Sequence, residues 1–330
     1  MGDNHYETFQ YGVGDTISIQ SHNPPSPLSK KEIARRAASA TWDQSLSPTE
    51  LSLQNPPLPG SNGDGYAVIK LIDPVRVGYG KRSQIFVIKA LNTSNLPHVP
   101  TDQDLVAKIY DPLSCEFDFD DEDPFLGVDY DYTHECGAYM HLSDLQGAVI
   151  PKFFGSFTLK IAVGDRFRLI RLILIEKING ISMDRLNPES FTTEQRQTIL
   201  KEIVDAESLL YERDVWHEDL YPRNVIIECS GKAVVRVTVV DLGKSVIGRS
   251  RNPLDRDEEQ RYLPGVFISP LLRWNVYFRR QMFFEDWINW AWQEWLEDEY
   301  KRTESTITEE QRELWRVYDW MKECPPHPSD

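Results

Sequence analysis

The residues His217-Glu218-Asp219-Leu220-Tyr221-Pro222-Arg223-Asn224 set a carboxylate and a carboxamide five positions apart. A carboxylate can orient an attacking hydroxyl and take its proton, and an amide oxygen can hold a magnesium ion without adding charge; phosphoryl transfer uses both. Asp219 and Asn224 are the candidates for these two roles. Seventeen positions beyond Asn224, after the apolar run Val237-Thr238-Val239-Val240, comes Asp241-Leu242-Gly243. Alone, an Asp-x-Gly after a strand reads as a turn. At this distance from the upstream loop it reads as a second magnesium ligand, so Asn224 and Asp241 form the candidate metal pair. His217 is expected to brace the loop through a backbone hydrogen bond rather than to carry protons.

Upstream, Val106-Ala107-Lys108-Ile109 puts a lysine among apolar neighbours on a strand. Such a lysine can contact nucleotide phosphates and needs a carboxylate to hold it. Glu135 is the candidate partner, with Glu116, Glu122 and the aspartates near them as competitors. Further upstream, Gly78-Tyr79-Gly80-Lys81-Arg82-Ser83-Gln84-Ile85 lies between strands. Its glycines would let backbone N–H groups approach phosphates, whereas the plain alternative is a tight hairpin. Ser83 stands where a third glycine would make the loop more pliant. The catalytic candidates are therefore Asp219, Lys108, Asn224 and Asp241, and the nucleotide-binding candidates begin with Gly78, Gly80, Ser83, Lys108 and Glu135.

These groups need a sheet and a set of helices to position them. Three Val- and Ile-rich runs, Tyr66–Ile72, Ile85–Leu91 and Leu105–Tyr110, are expected to be antiparallel strands. Thr133–Leu145 has helical spacing, and Ile150–Phe157 and Phe167–Ile178 return to strand character. Thr192 with Gln195 forms a capping box that opens a long helix carrying Ile199, Ile203, Ala206 and Leu210 on one face. Two short strands, Val225–Glu228 and Ala233–Val240, follow, and the remainder is helical and aromatic, ending at Pro325 and Pro326. Residues 1–65 are rich in Ser, Pro, Asn and Gly and are expected to be an irregular extension, with one short helix over Lys31–Thr41. The expected domains are thus 1–65, an N-lobe over 66–176 that binds nucleotide, and a C-lobe over 177–330. The long insert Leu91–Asp104 falls between two strands of the N-lobe.

Composition narrows the partners. A formal charge of −16 would repel a nucleic-acid backbone, and no basic stripe with interleaved aromatics offsets it. The longest apolar stretch, Leu169–Ile175, is interrupted by Arg171 and is too short to cross a bilayer. With no basic, apolar leader at Met1–His5, the expectation is a soluble, cytoplasmic protein with no membrane or nucleic-acid partner. Cys115, Cys136, Cys229 and Cys324 are scattered without a CxxC pair and are expected to be free thiols. The acidic run Glu116–Asp123 reads as a solvated loop, because it lacks the glycine placement of a calcium site. Trp287, Trp290, Trp292 and Trp295 read as helical packing rather than as an aromatic cage.

Over roughly residues 66 to 300, the motif order resembles the protein-kinase-like superfamily. The runs Ile268-Ser269-Pro270-Leu271-Leu272-Arg273-Trp274 and Phe284-Glu285-Asp286-Trp287-Ile288-Asn289-Trp290 are similar to kinase-like proteins abundant in filamentous fungi. The resemblance implies an α+β, two-lobed fold with a small antiparallel-sheet N-lobe and a mainly helical C-lobe. It also implies ATP and Mg2+ as cofactors and a hinge near Ile175-Glu176-Lys177-Ile178, whose backbone, Glu176 and Ile178 included, would meet the adenine; Gly180 follows. Glu218 stands where protein kinases place an arginine that pairs with a phosphorylated activation loop, and Tyr221 stands where many place a lysine. No A-P-E follows Asp241, and Arg249–Pro264 is charged. These departures resemble aminoglycoside or choline phosphotransferases more than protein kinases. The expected activity is transfer of the γ-phosphoryl group of ATP to a hydroxyl or amine of a small-molecule acceptor. An atypical serine/threonine protein kinase and a nucleotide-binding pseudokinase scaffold are the alternatives.

Overall fold

In the computed structural model, residues 11–39, 43, 45–116, 123–231, 233–250 and 263–322 are described. Most of the acidic run, most of the charged stretch after Arg249, the first residues from Met1, and Cys324 with Pro325 and Pro326 lie outside them. The chain divides into two units, Met1–Met140 with Pro151–Lys177, and His141–Ile150 with Ile178–Asp330.

The first unit is built on six antiparallel strands: β1 (Thr16–Asn23), β2 (Ser61–Arg76), β3 (Gln84–Ser94), β4 (Asp104–Tyr110), β5 (Phe153–Val163) and β6 (Arg166–Glu176). They close into a barrel in the order β1-β2-β3-β4-β6-β5. Closure is achieved by β1, which pairs with β2 on one side and with β5 on the other, Ile19 standing opposite both Ala67 and Leu159. A closed barrel leaves no strand as an open edge of the sheet. Ile19, Ile69, Ile88, Ile109, Phe157 and Leu172 are among the side chains that fill it. The insert after β3 contributes Leu96 and Val99 to the same core.

Residues 1–65 are therefore not irregular throughout, contrary to the expectation from their composition. They supply β1, the helices α1 (Lys30–Ser39) and α2 (Pro48–Gln54), and the start of β2. The compositional argument failed because β1 offers only Ile17 and Ile19 as apolar residues and is held mainly by backbone pairing to two neighbours. α2 is secured by a Ser47/Glu50 capping box and by Ser52, whose hydroxyl accepts from Arg168 Nε at 3.1 Å. Arg168 also donates to Asp111, which receives the Tyr11 hydroxyl at 3.3 Å. This buried network ties the amino-terminal segment to the barrel.

α3 (Pro124–His141) begins nine residues before the expected start at Thr133. Its sequence has no clear apolar stripe because it is buried almost all round, as an all-sided apolar helix must be. Asp123 caps it by accepting from the N–H groups of Phe125 and Leu126 at 2.9 and 3.0 Å. Leu28 and Leu58 from the amino-terminal segment pack on its Leu126.

The second unit is organised by α4 (Thr193–Glu212), capped by Thr192 and Gln195 as expected. Two short sheets surround the candidate chemistry: β7 (Ile181–Ser182), β9 (Val225–Ser230) and β10 (Ala233–Val239) form one, and β8 (Val215–Trp216) pairs with β11 (Val246–Ile247) to form the other. His141–Ile150 belongs to this unit rather than to the N-lobe, because Asp144 is ion-paired with Arg213 at 2.6 Å and the Val149 carbonyl accepts from Val239 N–H. On α4, Glu207 is fully buried. Burial alone would raise its pKa, but Arg273 and Arg280 outweigh that and hold it ionised. It also accepts from Trp274 Nε1 at 3.1 Å, so one carboxylate fixes the segment that follows α5 (Pro270–Arg273). The tryptophans are packed as expected, with Trp287 and Trp292 buried and Trp295 in ring contact with both Trp290 and Trp292. The last helical face expected over Leu314–Met321 is broken into α7 (Glu309–Leu314) and α8 (Asp319–Lys322), with α6 (Trp292–Glu299) before them; Tyr318 and Trp320 remain exposed. Cys115, Cys136 and Cys229 are free thiols.

If β1 closes the barrel as an integral strand, Ile19→Ala should lower stability by about 2–5 kcal/mol in denaturant unfolding. A loss below about 0.5 kcal/mol, the range of surface changes, would mean that β1 is only draped on the sheet.

Candidate functional site

In the first unit, Lys108 lies in mid-sheet, opposite Ile85 of β3 and Ile173 of β6. Its strand position points it out of the barrel core set, and it is nonetheless only 4% exposed. Its Nζ meets Glu135 Oε2 at 2.5 Å, and Glu135 is fully buried on α3. Glu135 of α3, the partner named first from the sequence, is thus an ion-pair partner of Lys108. Tyr110, two residues along β4 and on the same face, donates its hydroxyl to the same Glu135 oxygen, and the ammonium sits 5.6 Å from its ring centre. Sequence reasoning missed Tyr110; the period-2 spacing from Lys108 was its only signal.

The glycine loop joins β2 to β3. Gly78 has φ +127° and Gly80 φ +75°, left-handed conformations that favour glycine. A Cβ on Gly80 would also come within 2.9 Å of the Glu116 carboxylate. The loop is braced from inside: the Gln84 amide accepts from Gly78 N–H at 2.6 Å and donates to the Gly78 carbonyl at 2.9 Å. Ser83 is turned inward, its Oγ accepting from Arg76 at 3.2 Å. From the far side, Lys81 exchanges two hydrogen bonds with Ser114. Ser83 thus stiffens the loop and does not present its hydroxyl outward. Glu176 closes β6 with its N–H donating to Lys152 O at 2.8 Å and its carboxylate accepting from Lys152 N–H. The chain leaves the first unit at Lys177 and enters the second at Ile178. A Cβ on Gly180 would come within 2.6 Å of the Ile227 carbonyl, so this position needs glycine for close approach to β9.

In the second unit, the β9/β10 hairpin does the positioning. Val225 pairs with Val239, so Asn224, just before β9, and Asp241, just after β10, stand at the same end. Val240 N–H donates to the Asn224 carbonyl at 2.9 Å, which locks the two flanks together. Asp241 adopts φ +62°, ψ +67°, a left-handed conformation uncommon for a residue with a side chain. His217 is buried, and its Nε2 donates to the Val240 carbonyl at 3.0 Å. Burial lowers its pKa, which keeps the ring neutral and consistent with its bracing role. Asp219 is held by two neighbours: Arg223 donates to Oδ1, and Asn224 Nδ2 donates to Oδ2 at 2.9 Å and to the Asp219 carbonyl at 2.8 Å. With its amide nitrogen so engaged, Asn224 has Oδ1 left as a ligand atom. Arg223 was missed by sequence reasoning, although it lies four residues from Asp219.

Beside this loop the second unit contains a cavity of about 550 Å3, lined by Asp184, Glu189, Tyr221, Phe283, Asp286 and Trp287 among others. Tyr221 packs on Phe283 with ring centres 4.4 Å apart. No helix among the described residues is long and apolar enough to cross a membrane.

Residues 160–263 match the model of the Lipopolysaccharide kinase (Kdo/WaaP) family. The matched stretch contains Asp219, Asn224 and Asp241 and leaves out Lys108 and Glu135. Among solved structures, the kinase domain of Mycobacterium tuberculosis PknI, in a point-mutant form, is similar over 53% of this chain and 59% of that chain, at 13% identity and a TM-score of 0.36. This chain therefore spans less than two thirds of that domain's length. No curated protein sequence matches. Both matches are to proteins described as kinases. The described residues combine an antiparallel sheet with helices, which agrees with the α+β class that the resemblance implied.

The neutral, buried His217 has a pH consequence. Its folded pKa lies below the ordinary 6.5, so its contribution to stability is complete above 6.5 and declines as the pH falls and the unfolded chain takes up a proton. The His217 ring resonances should show no titration step near pH 6.5 in the folded protein; a step there would place the ring in solvent.

Proposed function

We propose that the chain is a phosphotransferase that uses ATP and magnesium to phosphorylate a hydroxyl or amine of a small-molecule acceptor. The observation that carries this reading is the buried Lys108 and Glu135 pair. An ion pair taken out of water contributes little net stability, and a structural role alone would be met as well by apolar side chains. A lysine fixed in one direction by a carboxylate is what phosphate recognition requires.

Lys108 would contact phosphate oxygens while Glu135, itself held by Tyr110, keeps the ammonium from swinging away. The braced glycine loop would approach the same phosphates with backbone N–H groups. The backbone at Glu176 and Ile178 would meet the purine edge, the Glu176 N–H being engaged by Lys152. The ligands Asn224 Oδ1 and Asp241 fit magnesium, which is a hard cation usually bound through one or two protein oxygens with phosphates and waters completing its shell. Among the described residues no cluster of three His, Cys, Asp or Glu offers an all-protein metal cage, which agrees with a metal shared with substrate. When bound, magnesium would offset the charge of the phosphates. Asp219 would orient the acceptor hydroxyl and take its proton, with Arg223 and Asn224 fixing the carboxylate's direction. Most of the rate gain would come from positioning and charge neutralisation.

The cavity beside Tyr221 supports a small-molecule acceptor, and its carboxylates Asp184, Glu189 and Asp286, which outnumber the lining cation Arg223, together with aromatic walls favour one with positive charge. The family description names lipopolysaccharide; only the phosphotransferase class is carried to this chain.

With magnesium and ATP, pooled hydroxylated and aminated metabolites should elicit ADP release. Asp219→Asn should lower turnover by about 10²–10⁴-fold with ATP affinity nearly unchanged. Equal loss of both properties would assign Asp219 to nucleotide binding, and phosphate appearing on protein substrates alone would favour the protein-kinase alternative.

A further inference from the structure

The first unit contains a cavity of about 780 Å3 that the proposed reaction does not use. Its walls come from three places: the segment joining α2 to β2, with Pro56, Pro57 and Pro59; the first turns of α3; and Leu169 with Arg171 on β6. Prolines with fixed φ make one wall stiff, so the space is preformed rather than opened by a ligand.

The cavity has a buried cation. Arg171 is 6% exposed; it donates to the Thr158 hydroxyl and, at 3.1 Å, to the Leu58 carbonyl, and its Nε has no acceptor in the protein. No carboxylate of the described residues lies within ion-pair distance of it. A buried guanidinium is costly, and the protein offsets part of that cost with neutral oxygens and with the attraction of Asp129, which is itself buried. Arg36 of α1 and His22 of β1 line the same space, and His22 Nε2 is likewise without a partner. Two acids face the cavity. Asp123 is engaged as the cap of α3, and Asp129 accepts from Leu58 N–H at 3.1 Å. Burial pushes Asp129 up to about 7, so it adds little negative charge in mildly acidic solution.

The cavity is also connected to the Lys108 and Glu135 pair by direct contacts. His22 Nδ1 lies 2.7 Å from the Tyr132 hydroxyl on α3, which also meets Ser156 Oγ at 2.5 Å. The Tyr132 ring packs edge-on to Tyr110 with centroids 5.5 Å apart, and Tyr110 donates to Glu135. Phe125, Leu126 and Asp129 of the helix that carries Glu135 line the cavity directly.

We propose that this cavity is a regulatory site for a small metabolite bearing an oxyanion, carboxylate or phosphate, which gives Arg171 Nε the acceptor the protein lacks and steadies α3. The inference rests on the first unit alone and does not require the phosphotransferase reading.

Inorganic phosphate and succinate, each tested by calorimetry at constant ionic strength with chloride as the control, are the probes. The comparison uses the full chain, Arg171→Gln, Arg36→Glu and Lys108→Met. Binding in the millimolar range or tighter, retained in Lys108→Met and weakened at least tenfold in Arg36→Glu, is the expected result. It should slow hydrogen exchange in α3. Arg36 is on an exposed helix surface, so its variant decides the matter if Arg171→Gln does not fold. Affinity no greater than for chloride, or equal in Arg36→Glu and the parent, would overturn the site. Loss in Lys108→Met alone would assign the anion to the nucleotide phosphates and overturn it as well. Binding that leaves α3 exchange unchanged would overturn the regulatory role.

Discussion

Lys108 and Glu135 are two opposite charges removed from water, and much of the first unit can be understood as the means of keeping them together. Each ion loses several kcal/mol of hydration on burial, and their attraction returns this only if the geometry is held closely. Breaking such a pair from one side costs about 3–5 kcal/mol, because the remaining charge is stranded. The strand and the helix that bear the two residues therefore cannot drift independently. β4 is fixed by ladders to both neighbours in a barrel without edges, and α3 is buried on nearly all sides. The amino-terminal segment serves both ends of this arrangement, since β1 closes the barrel while Leu28 and Leu58 cover α3.

The second unit meets the same requirement with backbone hydrogen bonds. A two-stranded hairpin brings Asn224 and Asp241 to one end, and the bond from Val240 N–H to the Asn224 carbonyl fixes their flanks. His217 adds a bond to the Val240 carbonyl from a ring kept neutral by burial, so the brace introduces no charge beside the carboxylates. The left-handed backbone at Asp241 is strained by about 1–3 kcal/mol in the usual case, a cost the surrounding hydrogen bonds must offset. Under the proposed function, that strain is what aims the carboxylate.

Lys108, Asp219, Asn224 and Asp241 were picked out by residue type and spacing; the structure puts Lys108 on Glu135, Asn224 on Asp219, and Asn224 and Asp241 at one end of a hairpin, and the capping box at Thr192 announced α4. The strands β2 to β6 were legible from β-branched periodicity. What escaped was held together by distant partners. β1 has two apolar residues and reads as loop, yet each of its flanks is paired. The first turns of α3 have no amphipathic stripe because the amino-terminal segment covers the side that solvent would normally wet. Glu135 could not be chosen over Glu116 without knowing which carboxylate the fold would bury, and Tyr110 and Arg223 matter through hydrogen bonds that no local pattern encodes.

The most direct test of this account is the binding of ATP to the full chain with and without magnesium, compared between the parent, Lys108→Met and Asp241→Asn. The account predicts that magnesium strengthens binding in the parent, that Lys108→Met weakens binding in either condition, and that Asp241→Asn loses chiefly the magnesium-dependent part. Parent protein that binds millimolar ATP in neither condition, or binding indifferent to both substitutions, would contradict it.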